Sequence, residues 1–420
     1  MAQHPFLKSI RPVNLLSFGP NTEEIELRPL NILIGANGSG KSNLIEVIGL
    51  LSKLPDKDPW SDVIASGGAD EWMWKGQSNS DSPSITITTT PDDGTYESAL
   101  LGDETAKSIH FSISLWNFGG GFGVEEERFV ALEEGEVGEN ANNGAFDRSR
   151  WEGERESSSG MAGILKPILS APVPQGLNHE RSVLSQLGQI SNIASIWPRM
   201  SELARDFESI TCYRDWTFGR ESKARQLQRV GLDSYHLAAD SSNVAQVLKA
   251  MRDRGHAATF DRLIKSMKSF YEPVKDVDTE LVGTHLRIMI KEDGLSSRTP
   301  AERLSDGTLR WLMLLIVLLD PTPPPVVCIE EPELGLHPDM ISTLADLLRD
   351  ASTRTQLIVT THSQSLVSEF SDDPESVCVC EKVDGATRVH RLNKERLSSW
   401  LEDYTLGQLW AKGEIGGNRW

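Results

Sequence analysis

Cysteine is scarce: four residues in 420, at positions 212, 328, 378 and 380. That is too few and too scattered for a disulfide framework, and the spacing of Cys378-Val379-Cys380 has the period of a strand rather than of a metal knuckle. All four read as buried, reduced thiols. Long apolar runs are also missing. The longest, Trp311 to Leu319, stops at Asp320 and a proline cluster, well short of the roughly 20 residues that cross a bilayer. The opening residues Met1 to Lys8 lack the apolar stretch and cleavage site of a secretory signal, so a cytoplasmic address and no membrane partner are expected. Basic charge is in deficit, with 42 Lys and Arg against 61 Asp and Glu and a net charge of −19. This excludes a protein that coats nucleic acid with its whole surface, since such binding rests on neutralising phosphates.

The deficit is uneven. Residues 211–268 carry a local balance of +5, so a nucleic-acid contact would be sought there, on Arg214, Arg220, Lys223, Arg225 and Arg229 if they shared a face. A solvated helix surface is the plainer reading of the same residues. At 420 residues the chain exceeds one ordinary core, which predicts a main domain with a substantial insertion. Leu30 to Ile34 reads as a buried strand and Ser42 to Leu54 as the helix that follows a glycine-rich turn. Ser84–Thr90 and Ser108–Phe118 alternate like half-buried strands of an antiparallel side lobe. Gly119 to Gly160, rich in glycine and glutamate, predicts a long mobile acidic loop. Spacing between Ser182 and Phe270 is mostly helical, which places a helical insertion at about 166–275 between segments 1–165 and 276–420. The last third alternates strands (Pro325–Ile329, Gln356–Thr360, Ser376–Lys382) with helices near Leu309, Met340 and Ser365, the pattern of a mainly parallel sheet. The fold class is therefore α/β.

Gly35-Ala36-Asn37-Gly38-Ser39-Gly40-Lys41-Ser42 matches the phosphate-binding loop in full, after a buried strand and opening a helix. Its glycines let backbone N–H groups curl around phosphates, Lys41 offers a point charge, and the Ser42 hydroxyl can ligate Mg²⁺. ATP and Mg²⁺ are the ligands implied, with Asn37, Gly38, Ser39, Gly40, Lys41 and Ser42 as the binding residues. Val326-Val327-Cys328-Ile329-Glu330-Glu331 is an apolar strand ending in paired carboxylates, the form of a Walker B strand. Glu330 would help hold Mg²⁺ and Glu331 would polarise the attacking water, because one carboxylate cannot easily serve both. Leu304-Ser305-Asp306-Gly307-Thr308 precedes a long apolar helix. A small hydroxyl and a glycine at a helix N-terminus permit close approach to an anion, whereas a bare N-cap is the simpler reading of Ser305 or Asp306. Thr360-Thr361-His362-Ser363 sets a histidine just past a buried strand, and His337 follows the carboxylate pair.

The full set in this order resembles the RecF/SMC-like group of ABC-type and AAA-family ATPases, particularly the ATPase domain of OLD-family proteins. The ending Leu406 to Gly417 also resembles stand-alone bacterial members. That resemblance implies a P-loop NTPase with an ABC-type head, whose N-terminal part carries the P-loop and β lobe and whose C-terminal part carries signature, Walker B and switch histidine. Ser305 and Gly307 would then meet the γ-phosphate of the opposite subunit, Glu331 and His362 would be catalytic, and Gln77 would be the Q-loop ligand to the metal. One P-loop and one signature per chain imply a head-to-tail homodimer closed by ATP, open to higher assembly. Only 58 residues follow His362, too few for the Toprim nuclease of OLD proteins, so a separate effector or nuclease is the expected partner. The resemblance points to a sensor ATPase of phage defence or plasmid exclusion. A RecF-like DNA-maintenance clamp and a transporter motor subunit are the alternatives.

Overall fold

The computed structural model describes residues 6–76, 82–90, 108–118, 120–132, 145–147, 178, 180–189, 198–214, 216–231, 235–253 and 257–417. In chain order its elements are β1 (Leu7–Val13), β2 (Ile25–Glu26), β3 (Leu30–Ile34), α1 (Lys41–Lys53), α2 (Ser61–Ala65), α3 (Ala69–Trp72), β4 (Ser84–Thr89), β5 (Ser108–Phe118), β6 (Gly121–Leu132), β7 (Ala145–Asp147), α4 (Pro198–Ser209), β8 (Thr211–Tyr213), β9 (Gln228–Arg229), α5 (Val244–Asp253), α6 (Ala257–Phe270), β10 (Val274–Val282), β11 (His285–Glu292), β12 (Thr299–Pro300), α7 (Asp306–Leu318), β13 (Val326–Glu330), α8 (Ile341–Ala351), β14 (Gln356–Thr360), α9 (Gln364–Ser368), β15 (Val377–Val383), β16 (Ala386–Arg391), α10 (Lys394–Leu401) and α11 (Leu406–Lys412).

The short apolar runs of the last third and the run before the glycine loop join in one six-stranded sheet of order β16-β15-β3-β14-β13-β8. Its strands are parallel except for the β15–β16 hairpin. Strands covered on both faces read as near-continuous apolar runs, as β13 does: Val326 and Cys328 enter one core while Val327 and Ile329 enter the other. One face packs on α7, buried along nearly its whole length and set against α5, α6 and α8. A helix apolar all round belongs in a core, and Trp311 is fixed there by stacking on Phe270 at 5.9 Å and by donating from Nε1 to the Ser266 carbonyl at 3.0 Å. The other face packs on α1 and on the side lobe, an antiparallel sheet of order β2-β1-β4-β5-β6-β7.

Two expectations are corrected. Gly121–Leu132, placed in the acidic loop, is a long strand paired with β5 through the register Phe111↔Phe129. Its charge misled the reading: Glu127 is fully buried, accepting from Ser182 Oγ at 2.5 Å and Val183 N at 2.8 Å. Residues 133–144 and 148–160 of that expected loop lie outside the described residues. The segment 166–275 is not helical throughout. Besides α4, α5 and α6 it supplies β8, the edge strand of the central sheet beside β13, and β9, which pairs with β11.

Candidate nucleotide site

Parallel strands all end at one edge of their sheet, and loops leaving the carboxyl ends of neighbouring strands converge there. Here four neighbours in sheet order deliver polar groups: the glycine loop after β3, Thr361 and His362 after β14, Glu330 and Glu331 at β13, and Arg214 after β8.

The loop from Gly35 to Gly40 needs its glycines for two different reasons. Gly38 and Gly40 have φ of 76° and 103°, left-handed values that disfavour a side chain. At Gly40 space is lacking as well, because a Cβ would lie 2.1 Å from Thr387 Oγ1. Thr387 fixes the loop from β16 by donating to the Ser39 carbonyl at 2.9 Å, and its hydroxyl oxygen lies 2.6 Å from Ser17 Oγ, from which it can accept. Gly417, whose N–H donates to Glu381 Oε1 at 2.8 Å, closes on the other side, where its Cβ would come within 3.2 Å of Gly35 Cα.

α1 then starts with no side-chain cap and no acidic residue in its first turn. Its free N–H groups and positive dipole end are left for an anion. Lys41 is buried, and its ammonium donates to the carbonyls of Gly35 at 2.8 Å and Ala36 at 3.1 Å, two of its three donors. Burial pushes its pKa below the usual lysine value, against the pull of Glu331 and Glu330. A further negative group would relieve that desolvation. Ser39 Oγ is buried without a hydrogen-bond partner, and the Ser42 hydroxyl-bearing side chain is exposed at the helix start.

Glu331 stands in a left-handed conformation, φ 47°, rare and costly for a residue with a Cβ. The turn is held by Glu331 N donating to the Thr360 carbonyl at 3.0 Å. It brings the carboxylate to 3.6 Å from His362 Nε2, close contact beyond hydrogen-bond length. Burial chiefly, and then Lys41, lower the His362 pKa while Glu331 opposes them, a shift that favours the neutral ring. Glu333 seats the histidine: its Oε1 accepts from Thr361 Oγ1 at 2.5 Å and from the His362 N–H at 3.2 Å. Burial above all raises the Glu333 pKa, and its Oε2 is buried without a partner. The sequence reading gave this residue no role.

Ser305 is the N-cap of α7, accepting from Thr308 N at 3.1 Å, and remains exposed. A Cβ at Gly307 would lie 3.0 Å from the Gly335 carbonyl, so a side chain there would press on the turn after Glu331 where α7 meets it. Among the described residues no hydrogen bond joins Ser305 or Gly307 to the P-loop, Glu330, Glu331 or His362. His337 is exposed and faces Asp339. Gln77 lies outside the described residues.

The basic residues do not share one free face. Arg225 is buried, bonding the carbonyls of Phe218, Ala301 and Leu304 and Asp306 Oδ1 at 2.5 Å, and it thereby braces the turn that carries Ser305. Lys223 pairs with Asp240, while Arg214 pairs with Glu46 and Glu330. No helix among the described residues is long and apolar enough to cross a membrane.

A glycine loop opening a helix beside a carboxylate-ended strand, in a sheet flanked by an antiparallel lobe, defines the class: an ABC-type P-loop ATPase head. A protein-family model described as "AAA domain, putative AbiEii toxin, Type IV TA system" matches residues 30–182 and 201–368, and the chain belongs to that family. Among solved structures, an Smc head bound to the C-winged helix domain of ScpA matches with a TM-score of 0.53 at 15% identity, covering 94% of this chain and 100% of that one. A Pyrococcus furiosus Smc head with an extended coiled coil, bound to the C-terminal domain of ScpA, has 16% identity, covers 95% and 99%, and scores 0.49. At such identity the first match speaks for the fold.

Proposed function

We propose that this chain binds and hydrolyses ATP in a sandwich between two of its copies, and that the closed and open states control a separate effector in a toxin–antitoxin or phage-defence setting. The observation that carries the catalytic part is the strained Glu331, held beside His362 with Lys41 buried nearby. The uncapped α1, Lys41 and the unpartnered Ser39 Oγ fit a polyphosphate. Ser42 and Glu330 fit Mg²⁺, which takes one or two hard oxygen ligands from protein and the rest from phosphate and water; when bound it offsets phosphate charge.

Lys41 would hold the β- and γ-phosphates, with Asn37, Gly38, Ser39 and Gly40 lending the loop. Glu331 would orient water and take its proton, and the neutral His362 could donate to the γ-phosphate. Exposed Ser305 and half-buried Gly307, which make no hydrogen bond to those groups among the described residues, are suited to cap the nucleotide of a second copy. The family's toxin–antitoxin description favours a partnered effector, and the Smc head match, itself bound to another protein's domain, is compatible with a head that is read by a partner.

The test is the mass of wild-type and Glu331→Gln protein with and without ATP and Mg²⁺, alongside phosphate release. Glu331→Gln should lose at least about 100-fold in hydrolysis and accumulate as an ATP-held dimer. Normal hydrolysis by the variant would overturn the assignment.

A further inference from the structure

Resting on the reading of Glu330 as a metal ligand, we propose that Arg214 is a positioning residue that fixes the Glu330 carboxylate relative to the P-loop helix. β8 runs parallel to β13 in the register Tyr213↔Ile329, so the next residue on each strand, Arg214 and Glu330, leaves the sheet at the same edge. Arg214 Nε donates to Glu330 Oε1 at 3.2 Å, and its terminal nitrogen donates to Glu46 Oε1 at 2.7 Å.

Glu46 lies four residues after Ser42 on α1, hence on the same helix face. One guanidinium therefore ties together the two elements that carry the metal-holding oxygens: the strand end with Glu330 and the helix face with Ser42. It engages Glu330 through Oε1 and leaves Oε2 outside the pair. The side chains are 31%, 25% and 18% exposed for Arg214, Glu46 and Glu330, enough burial to spare the bridge the full screening of a surface pair. The planar guanidinium holds its donors in a fixed fork, so both carboxylates are engaged in set directions, whereas the ammonium of a lysine is a point charge on a flexible stem and would set neither direction.

Two opposing effects meet at this bridge. The Arg214 charge repels a cation, while its hydrogen bonds preset the ligand. Without Arg214, Glu46 and Glu330 would face each other uncompensated and Glu330 would swing freely. Groups that orient a metal ligand typically contribute about 10–100-fold in affinity, whereas charge repulsion at part-exposed sites is screened. Orientation wins.

The experiment titrates Mn²⁺ into the full-length protein with ADP, following free Mn²⁺ by electron paramagnetic resonance, for wild type, Arg214→Ala, Glu46→Gln and Glu330→Gln. Arg214→Ala should weaken Mn²⁺ binding about 10-fold, with ADP affinity in EDTA unchanged. Guanidinium at low millimolar concentration should restore part of the loss, because Arg214 and Glu46 line an open cleft of ≈ 430 Å³. Glu46→Gln, which keeps the fold's acceptor but loosens the anchor, should lie between and decides the matter should Arg214→Ala not fold. Wild-type or tighter Mn²⁺ affinity in the folded variants overturns the proposal. If Glu330→Gln also binds Mn²⁺ normally, the metal assignment itself falls.

Discussion

In the central sheet β13 sends Val326 and Cys328 to one core and Val327 and Ile329 to the other, whereas β4 of the side lobe buries Ile85 and Ile87 and leaves Thr86 and Thr88 half-buried. The parallel strands also finish together, so that Gly35, Glu330, His362 and Arg214 gather at one edge; antiparallel strands finish at alternate edges and cannot collect groups in this way. Chemistry concentrates where the backbone topology lines up strand ends, and the lobe's contribution is to cover α1 and one face of that sheet. The comparison predicts separable phenotypes.

Phe111→Ala should have the largest effect. Phe111 is fully buried, 4.8 Å from Phe129 and 5.7 Å from Phe207 between ring centroids, and its truncation should destabilise by about 3–5 kcal/mol. Denaturant unfolding checks this, with the nucleotide affinity of the remaining folded protein unchanged. Lys41→Met reverses the pattern. Removing the buried ammonium should weaken ATP binding about 100-fold, roughly 3 kcal/mol, yet leave thermal stability equal or higher, since Lys41 pays a desolvation penalty that its pKa shift records. Isothermal titration and a melting curve on the same sample decide it. A Lys41→Met protein that unfolds would break the separation.

Legibility in the sequence followed the same division. The glycine loop and its Lys41, the Glu330-Glu331 pair and His362 were readable because each sits at the end of a continuous apolar run, a local pattern. β8 was not, since three residues, Thr211-Cys212-Tyr213, are too short to show a period and follow directly on α4. Arg214 was grouped with a basic cluster because its partners lie 116 and 168 residues away. Glu125-Glu126-Glu127 suggested a solvated loop, since composition does not reveal that Glu127 turns inward. The chemistry of Ser305 and Gly307 rests on the family resemblance, as the motif is satisfied within one chain as a helix cap and a close approach.

Glu127→Gln should have the smallest effect and tests the boundary between the two regions most finely. Ser182 Oγ and the Val183 N–H both donate to this carboxylate, at 2.5 and 2.8 Å, tying the 183–189 turn to β6. An amide retains one acceptor oxygen and sets an NH₂ group against the other donor, leaving a buried polar group unsatisfied at about 1–2 kcal/mol. A correspondingly lower unfolding midpoint with ATP hydrolysis intact is the expected result. If hydrolysis fell while stability held, the lobe would have to act on α1, whose first residues carry Lys41 and Ser42, and the division between covering lobe and chemical edge would give way to a coupled pair.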